Sequence, residues 1–466
     1  MSTATSTASS APQNDQIDRR SFIKKASAVA AVTTLASMNI PHVFAAENNT
    51  IQLAIVGCGG RGGGAVQQAM STTQGPTKLV AMADVFQERL DSLQANLAGG
   101  KHKDQVDVKD RMFLGFDGYQ KAMDCLKPGD VVILTTPPAF RWVHFKYAID
   151  KGLNVFMEKP VTVDGPTTKK MFELADLSVE KNLKCGVGLM CRHSDARHQL
   201  FDQIKDGKMG DLILLRAYRV QGPEANCFVP KNPGKISDLL YQIQNFHAFI
   251  WASGGLFSDF NIHNIDECCW MKDAWPVKAE ALGGRHYRYE NIDQNFDTYD
   301  VEYTFADGAK LWFQGRCIDG CENKFASLAQ GSKGSAIISM NGHTPAPSKI
   351  YRNQDMTSTP IWAYKDHKGK EPNPYQVEWD DLMTAIRKDQ KYNEVRRGAE
   401  ASLITSMGRM AAHTGQEMTR DDMLDCKVEF APNVDKLTFA SAPPVQPDKD
   451  GKYPVPEPGI KRDREY

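Results

Sequence analysis

An apolar segment, Ile51–Val56, runs directly into Gly57-Cys58-Gly59-Gly60-Arg61-Gly62 and then into a helical pattern ending near Met70. Few folds accept that order. Gly57 permits a tight turn, Gly59 lets backbone approach a pyrophosphate, and Gly62 lets the following helix pack closely on the strand. The helix N-terminus then faces an anion. Further short apolar runs follow at Lys78–Ala83, Asp130–Thr135, Asn154–Met157 and Leu183–Leu189, with helical patterns such as Gly62–Met70 and Phe140–Asp150 between them. This alternation predicts a doubly wound parallel sheet, a Rossmann domain over residues 50–190. Asp84 ends the second strand, 22 residues after Gly62. A carboxylate there accepts both ribose hydroxyls of NAD and repels the 2′-phosphate of NADP. Gly57, Gly59, Gly60, Arg61, Gly62 and Asp84 are therefore expected at an NAD site.

The pattern changes after residue 210. Leu212–Gln221, Val277–His286, Thr298–Phe305 and Lys310–Arg316 read as longer strands, and Ala306-Asp307-Gly308 and Gly331-Ser332-Lys333-Gly334 as hairpin turns. One helix, about Leu256–Lys272, interrupts them. This predicts a second α/β domain over 191–425 with a large, mostly antiparallel sheet, and two late helices at about Tyr375–Lys388 and Arg396–Thr414. Residues 426–466, rich in Pro and Lys, are expected to form an extended tail. With 466 residues the chain exceeds one ordinary core, which agrees with two domains.

Net charge is −1 with no block of one sign, which argues against a nucleic-acid partner. After residue 50 no stretch approaches the roughly 20 apolar residues of a membrane span, so no stable membrane insertion is expected. The ten cysteines contain no C-x-x-C pair and read as buried, inert thiols, with no metal site. At the N-terminus, Arg19-Arg20-Ser21-Phe22-Ile23-Lys24-Lys25 precedes an apolar stretch from Ala26 to Ile40 and small residues at Ala45-Ala46. That order is a twin-arginine export signal over 1–49, so a periplasmic or otherwise exported location is expected.

Three constellations carry chemistry. Thr135-Thr136-Pro137-Pro138 ends a strand and is followed by His144 on a helix. Glu158-Lys159-Pro160 ends another. Ligands bind outside the carboxyl ends of parallel strands, so Thr135, Thr136, Pro137, His144, Glu158 and Lys159 join the cofactor set. Taken alone, a lysine at a strand end is more often a surface residue. The third run, Gly254 to Asp266, places Asp259, His263 and Asp266 at i, i+4 and i+7 on one helix face. Such a stripe serves proton transfer or is an ordinary solvated face.

In this order, over roughly residues 50–425, these motifs resemble the glucose–fructose oxidoreductase / inositol dehydrogenase / rhizopine catabolism (Gfo/Idh/MocA) family. They look most like its exported, twin-arginine members. The resemblance implies that Lys159, Asp259 and His263 surround the reactive carbon of a sugar or polyol, and that an open sheet forms a homo-oligomer interface. Arg192-His193 match a basic pair of similar exported members and are expected at the substrate. Where many family members, like this chain at His263, have His, glucose–fructose oxidoreductase has Tyr, so its particular reaction does not carry over. The expected activity is NAD-dependent oxidation of a carbohydrate hydroxyl with retained cofactor. His263 would act as general base, Asp259 would orient it or bind hydroxyls, and Lys159 would stabilise charge on oxygen. The alternatives are redox-neutral glycoside cleavage through a keto-sugar and a non-catalytic, nucleotide-loaded binding protein.

Overall fold

The computed structural model describes residues 49–365 and 370–466. The export signal expected over 1–49 lies, apart from Asn49, outside the described residues. Six strands form the first sheet: β1 (Ile51–Val56), β2 (Thr77–Asp84), β3 (Met112–Leu114), β4 (Val131–Leu134), β5 (Asn154–Met157) and β6 (Cys185–Val187). They run parallel in the order β3-β2-β1-β4-β5-β6. Strands β4 and β5 are buried on both faces, as a sheet covered by helices on each side requires.

The second sheet contains β7 (Leu212–Gln221), β8 (Lys278–Gly284), β9 (Thr298–Thr304), β10 (Lys310–Cys317), β11 (Lys324–Gly331), β12 (Gly334–Met340), β13 (Lys349–Tyr351), β14 (Trp362–Ala363) and β15 (Met418–Thr419). Its order is β14-β13-β12-β11-β7-β10-β9-β8-β15. All pairings are antiparallel except β7 with β10. Along β9, buried Tyr299, Val301 and Tyr303 alternate with part-exposed neighbours, the period-two signature of a sheet with one face on the core. That inner face packs against helix Gly255–Lys272 and helix Val395–Thr414.

The structure adds detail to the later chain. The late helices divide between the sheets: Pro374–Arg387 packs on the first, while Val395–Thr414 starts beside β6 and packs along β8 and β9 of the second. Trp379 stacks on Phe156 of β5 at 4.4 Å, and Glu394 donates its N–H to the Cys185 carbonyl of β6. Residues 426–466 run as an extended segment with little regular structure, and they pack against the body of the protein. Ala431, Val434, Val445 and Tyr453 are buried with Phe140, Phe249 and Trp251.

This last segment is anchored by Glu465, which is buried with Arg409 and His413 of the helix Val395–Thr414. The carboxylate accepts from Arg409 at 2.8 Å and from His413 Nδ1 at 2.6 Å, while His413 Nε2 accepts from the Tyr299 hydroxyl at 2.8 Å. Burial pushes the Glu465 carboxyl up, but Arg409 and His413 outweigh it and hold it at about 2. Removing one member of such a buried pair strands the other, so Glu465→Ala is expected to cost about 3–5 kcal/mol in urea unfolding. Because the folded value is depressed, the carboxylate's contribution is complete above the unfolded value of about 4.3 and is lost as pH falls toward the folded value. The difference between wild type and Glu465→Ala should therefore shrink across that acid window, which unfolding curves at stepped pH will check.

Candidate active site

The carboxyl ends of β1, β2, β4 and β5 open on a cavity of about 740 Å³. At one end lies the glycine turn. Gly57 holds φ +99°, and a Cβ on Gly62 would sit 2.2 Å from the Gly57 carbonyl oxygen. Thr135 Oγ1 donates to that oxygen at 2.5 Å, so strand β4 braces the turn. Open space lies beside Gly59 and Gly60, where the helix Gly60–Met70 begins. Asp84 accepts the Cys58 N–H at 2.6 Å and the Phe86 N–H at 3.0 Å, one on each oxygen. A carboxylate has about four lone-pair positions, so both oxygens keep capacity for ribose hydroxyls. A bare turn at a helix N-terminus, a carboxylate at the end of β2 and a long cavity between them fit a dinucleotide.

The middle of the cavity is lined by Thr136, Pro137, His144 and Glu158. His144 is pushed down to about 3 by burial and then by Arg141, so it is neutral; its Nδ1 lies 3.2 Å from Thr136 Oγ1. Arg61 pairs with Glu158 at 2.5 Å, linking the glycine turn to the Glu158-Lys159-Pro160 corner.

At the far end Lys159, Asp259 and His263 converge. Lys159 Nζ donates to the Asp259 carbonyl at 2.5 Å and lies 3.6 Å from its carboxylate. Burial raises the Asp259 carboxyl, yet Lys159 and His247 overcome this and hold it at about 2. His263 is held well below its ordinary value by burial first, then by His343, Lys159 and Arg219. Its Nδ1 is buried without a partner, which leaves Nε2 to face the cavity.

The polar stripe is not a solvated face. Asp259, His263 and Asp266 are 6%, 7% and 1% exposed, in a helix buried almost all round. Asp266 is turned away from the cavity and takes both guanidinium contacts of Arg192, at 2.9 and 2.8 Å. His193 lies 2.8 Å from Asp381 and 3.3 Å from Glu394. Neither Arg192 nor His193 lines the cavity, so the expectation that they touch substrate is corrected: their side chains are taken up by carboxylates behind it. Nor does Asp259 hydrogen-bond His263; its second oxygen pairs with His247 at 3.1 Å.

Reasoning from the sequence missed Asn226, Arg219, His247 and His343, which also line the cavity. Arg219 sits on β7, His247 in the single helical turn Phe246–Ala248, and Asn226 and His343 in irregular segments, where no periodicity marks them. One signal existed: four of the 11 histidines, His144, His247, His263 and His343, face this one cavity.

The turn geometry makes a sharp prediction. Gly62→Ala overpacks backbone against backbone, which costs about 1–3 kcal/mol, so NAD affinity should fall roughly 10-fold or more. Asp84→Ser should retain NAD binding while admitting NADP. Calorimetric titration with both dinucleotides checks this; unchanged NAD affinity in Gly62→Ala would refute the placement of the turn.

Comparison with known proteins agrees with this geometry. Residues 51–189 match the model of the Gfo/Idh/MocA oxidoreductase family, described as having an NAD-binding Rossmann fold. The chain is 24% identical over 317 residues to the rhizopine catabolism protein MocA of Rhizobium meliloti, covering 66% of this chain and 82% of that protein. In fold it is similar to scyllo-inositol dehydrogenase from Lactobacillus casei, solved with NAD(H) and scyllo-inositol. There the TM-score is 0.57 at 20% identity, over 80% of this chain and 99% of that one. It is also similar to aldose–aldose oxidoreductase from Caulobacter crescentus, solved with glycerol, with TM-score 0.61 at 14% identity over 79% and 99% of the two chains. The two solved structures are a dehydrogenase and an oxidoreductase by name, and none of these relatives lends support to the glycoside-cleaving alternative. Over residues 51–189 the chain is thus similar to the Gfo/Idh/MocA oxidoreductase family, and those residues form an NAD-binding Rossmann domain.

Proposed function

We propose that this protein oxidises a secondary hydroxyl of a sugar or polyol with NAD that it retains between turnovers. The observation that carries the proposal is the convergence of Lys159, Asp259 and neutral His263 at one end of a cavity whose other end is the glycine turn. NAD supplies the hydride acceptor when bound. His263 receives the hydroxyl proton at Nε2, the ring nitrogen facing the cavity. Lys159 stabilises negative charge developing on the substrate oxygen. Asp259 keeps the Lys159 ammonium in place through its carbonyl and carboxylate. Phe246 and Phe260 offer apolar faces beside these groups, suited to the C–H face of a ring.

Lys159→Ala and His263→Ala should each lower turnover by about 10²-fold or more, the scale of losing an oxyanion donor or a general base. Both should keep NAD. Because His263 works as a base and its titration is depressed, activity should persist below neutral pH and fall only in the acid range. Incubating the NAD-loaded protein with a panel of sugars and polyols, while following reduced nicotinamide, tests the reaction. Near-normal turnover by His263→Ala would refute the base.

Two further features belong to the same proposal. The Arg19-Arg20 segment and the apolar stretch after it support export by the twin-arginine route, which carries folded, cofactor-loaded protein. The open face of the second sheet exposes Trp312 and Leu282, at 43% and 78%, which supports a homo-oligomer. Protein purified from the exported fraction and dialysed extensively should be oligomeric by light scattering. It should also carry close to one dinucleotide per chain. A monomer, or empty protein restored by micromolar NAD, would overturn these points.

A further inference from the structure

The segment between β7 and helix Gly255–Lys272 places His247 against Asp259, on the side away from Lys159. His247 Nε2 lies 3.1 Å from Asp259 Oδ2, and its Nδ1 lies 2.5 Å from Asn226 Oδ1. The Asn226 amide is oriented independently, since its Nδ2 donates to the Gln244 carbonyl at 2.9 Å. Both ring nitrogens of His247 therefore face acceptors. The ring is wedged between Phe246 and Phe260, with centroids 3.8 and 5.1 Å away. This is a built contact: a carboxylate clamped from one side by Lys159 and from the other by an imidazole that is itself fixed.

The clamp has a consequence for His263. Asp259 and His263 stand one helical turn apart on the same face, the spacing at which a carboxylate and an imidazole pair readily. They do not pair here, because both carboxylate oxygens are directed elsewhere. The other charged or titratable groups acting on His263 are His343, whose ring lies 4.6 Å away, and Lys159, Arg219 and Arg197. His343 accepts from Arg219 at its Nε2, 2.8 Å away, so it is not itself a cation there. With Asp259 held off, the base is surrounded by positive charge and has no carboxylate to hold a proton on it.

We propose that His247, held by Asn226, is a positioning residue that keeps Asp259 turned away from His263, so that His263 remains an unpaired base. The proposal rests on the assignment of His263 as the base. It gives Asp259 a role different from orienting that imidazole. Without His247, Asp259 Oδ2 loses its partner in a buried site, and the nearest group on its own helix face able to accept the charge is His263.

The test uses the full-length, NAD-loaded protein. The His263 imidazole is followed by NMR across pH, with His263→Gln to identify its signals, in wild type, His247→Ala and His247→Gln. In His247→Ala the His263 midpoint should rise by about one pH unit or more, as expected when a carboxylate becomes its neighbour. In His247→Gln the side-chain amide can donate to Asp259 in place of Nε2–H, so the midpoint should stay near that of wild type. Where a substrate has been found, the acid limb of the kcat profile should move with the midpoint in His247→Ala. An unchanged His263 midpoint in folded His247→Ala overturns the proposal. Should that variant fail to fold, Asn226→Ala loosens the same clamp and must move the midpoint in the same direction, or the proposal fails. If no sugar or polyol reduces the nicotinamide, the dehydrogenase proposal fails separately, and the NMR titration still decides the role of His247.

Discussion

Helix Gly255–Lys272 crosses the interior with Asp259, Asp266 and Glu267 all buried, and an unpaired carboxylate in such a place costs several kcal/mol. Each must find a cation or donor. Asp259 takes Lys159 and His247, Asp266 takes Arg192, and Glu267 takes Arg197 at 2.6 Å and the Ser339 hydroxyl at 2.6 Å. These partners come from the end of β5, from the chain just after β6, from the segment before the helix, and from β12 of the second sheet. Satisfying one helix thus ties the Rossmann sheet to the second sheet. The helix's own apolar side chains fill its other sides, Phe257 and Ile265 in one core and Ile262 in the other. A solvated polar stripe was never compatible with that packing.

The same requirement shapes the chemistry. Lys159 and Arg219 place positive charge near the substrate end of the cavity, and burial removes water. A histidine there is held neutral, which is the form a base needs. Behind the glycine turn the logic repeats with the opposite sign. Burial, reinforced by Glu158, pushes the Glu378 carboxyl well up, and Arg61 lies 3.6 Å from it while pairing more closely with Glu158. Further from the chemistry, residues 426–466 support the segment that carries Asn226 and His247. Gln242 donates to the Val445 carbonyl at 2.8 Å and accepts from the Trp251 indole at 2.7 Å. The Glu465 anchor on Arg409 and His413 holds this last segment in place.

Much of this architecture was legible in the linear order of residues. Ile51–Val56 and Asn154–Met157 are strands as expected, because continuous apolar runs between turn residues have no other stable use in such a sheet. The hairpin at Gly331–Gly334 follows from its turn residues, and β11 and β12 pair there with Gly331 opposite Gly334. Asp84, Lys159 and His263 were found because each sits at a fixed offset from a glycine turn, a strand end or a helix start. Short β3 was missed: three part-exposed residues carry too little pattern. Arg192 and His193 were sent to the wrong place, since adjacency to a strand end says nothing about which carboxylate captures a cation.

Local order by itself therefore determined the parallel sheet, the glycine turn, the helix bearing Asp259 and His263, and the class of cofactor. Each of these depends on spacing within a few tens of residues. Only the tertiary structure decided which buried charges meet. Asp259 with Lys159, Asp266 with Arg192 and Glu465 with Arg409 are separated by 100, 74 and 56 residues. Such pairings are set by the need to satisfy charge wherever the packed chain happens to exclude water, and no periodicity in the sequence records that.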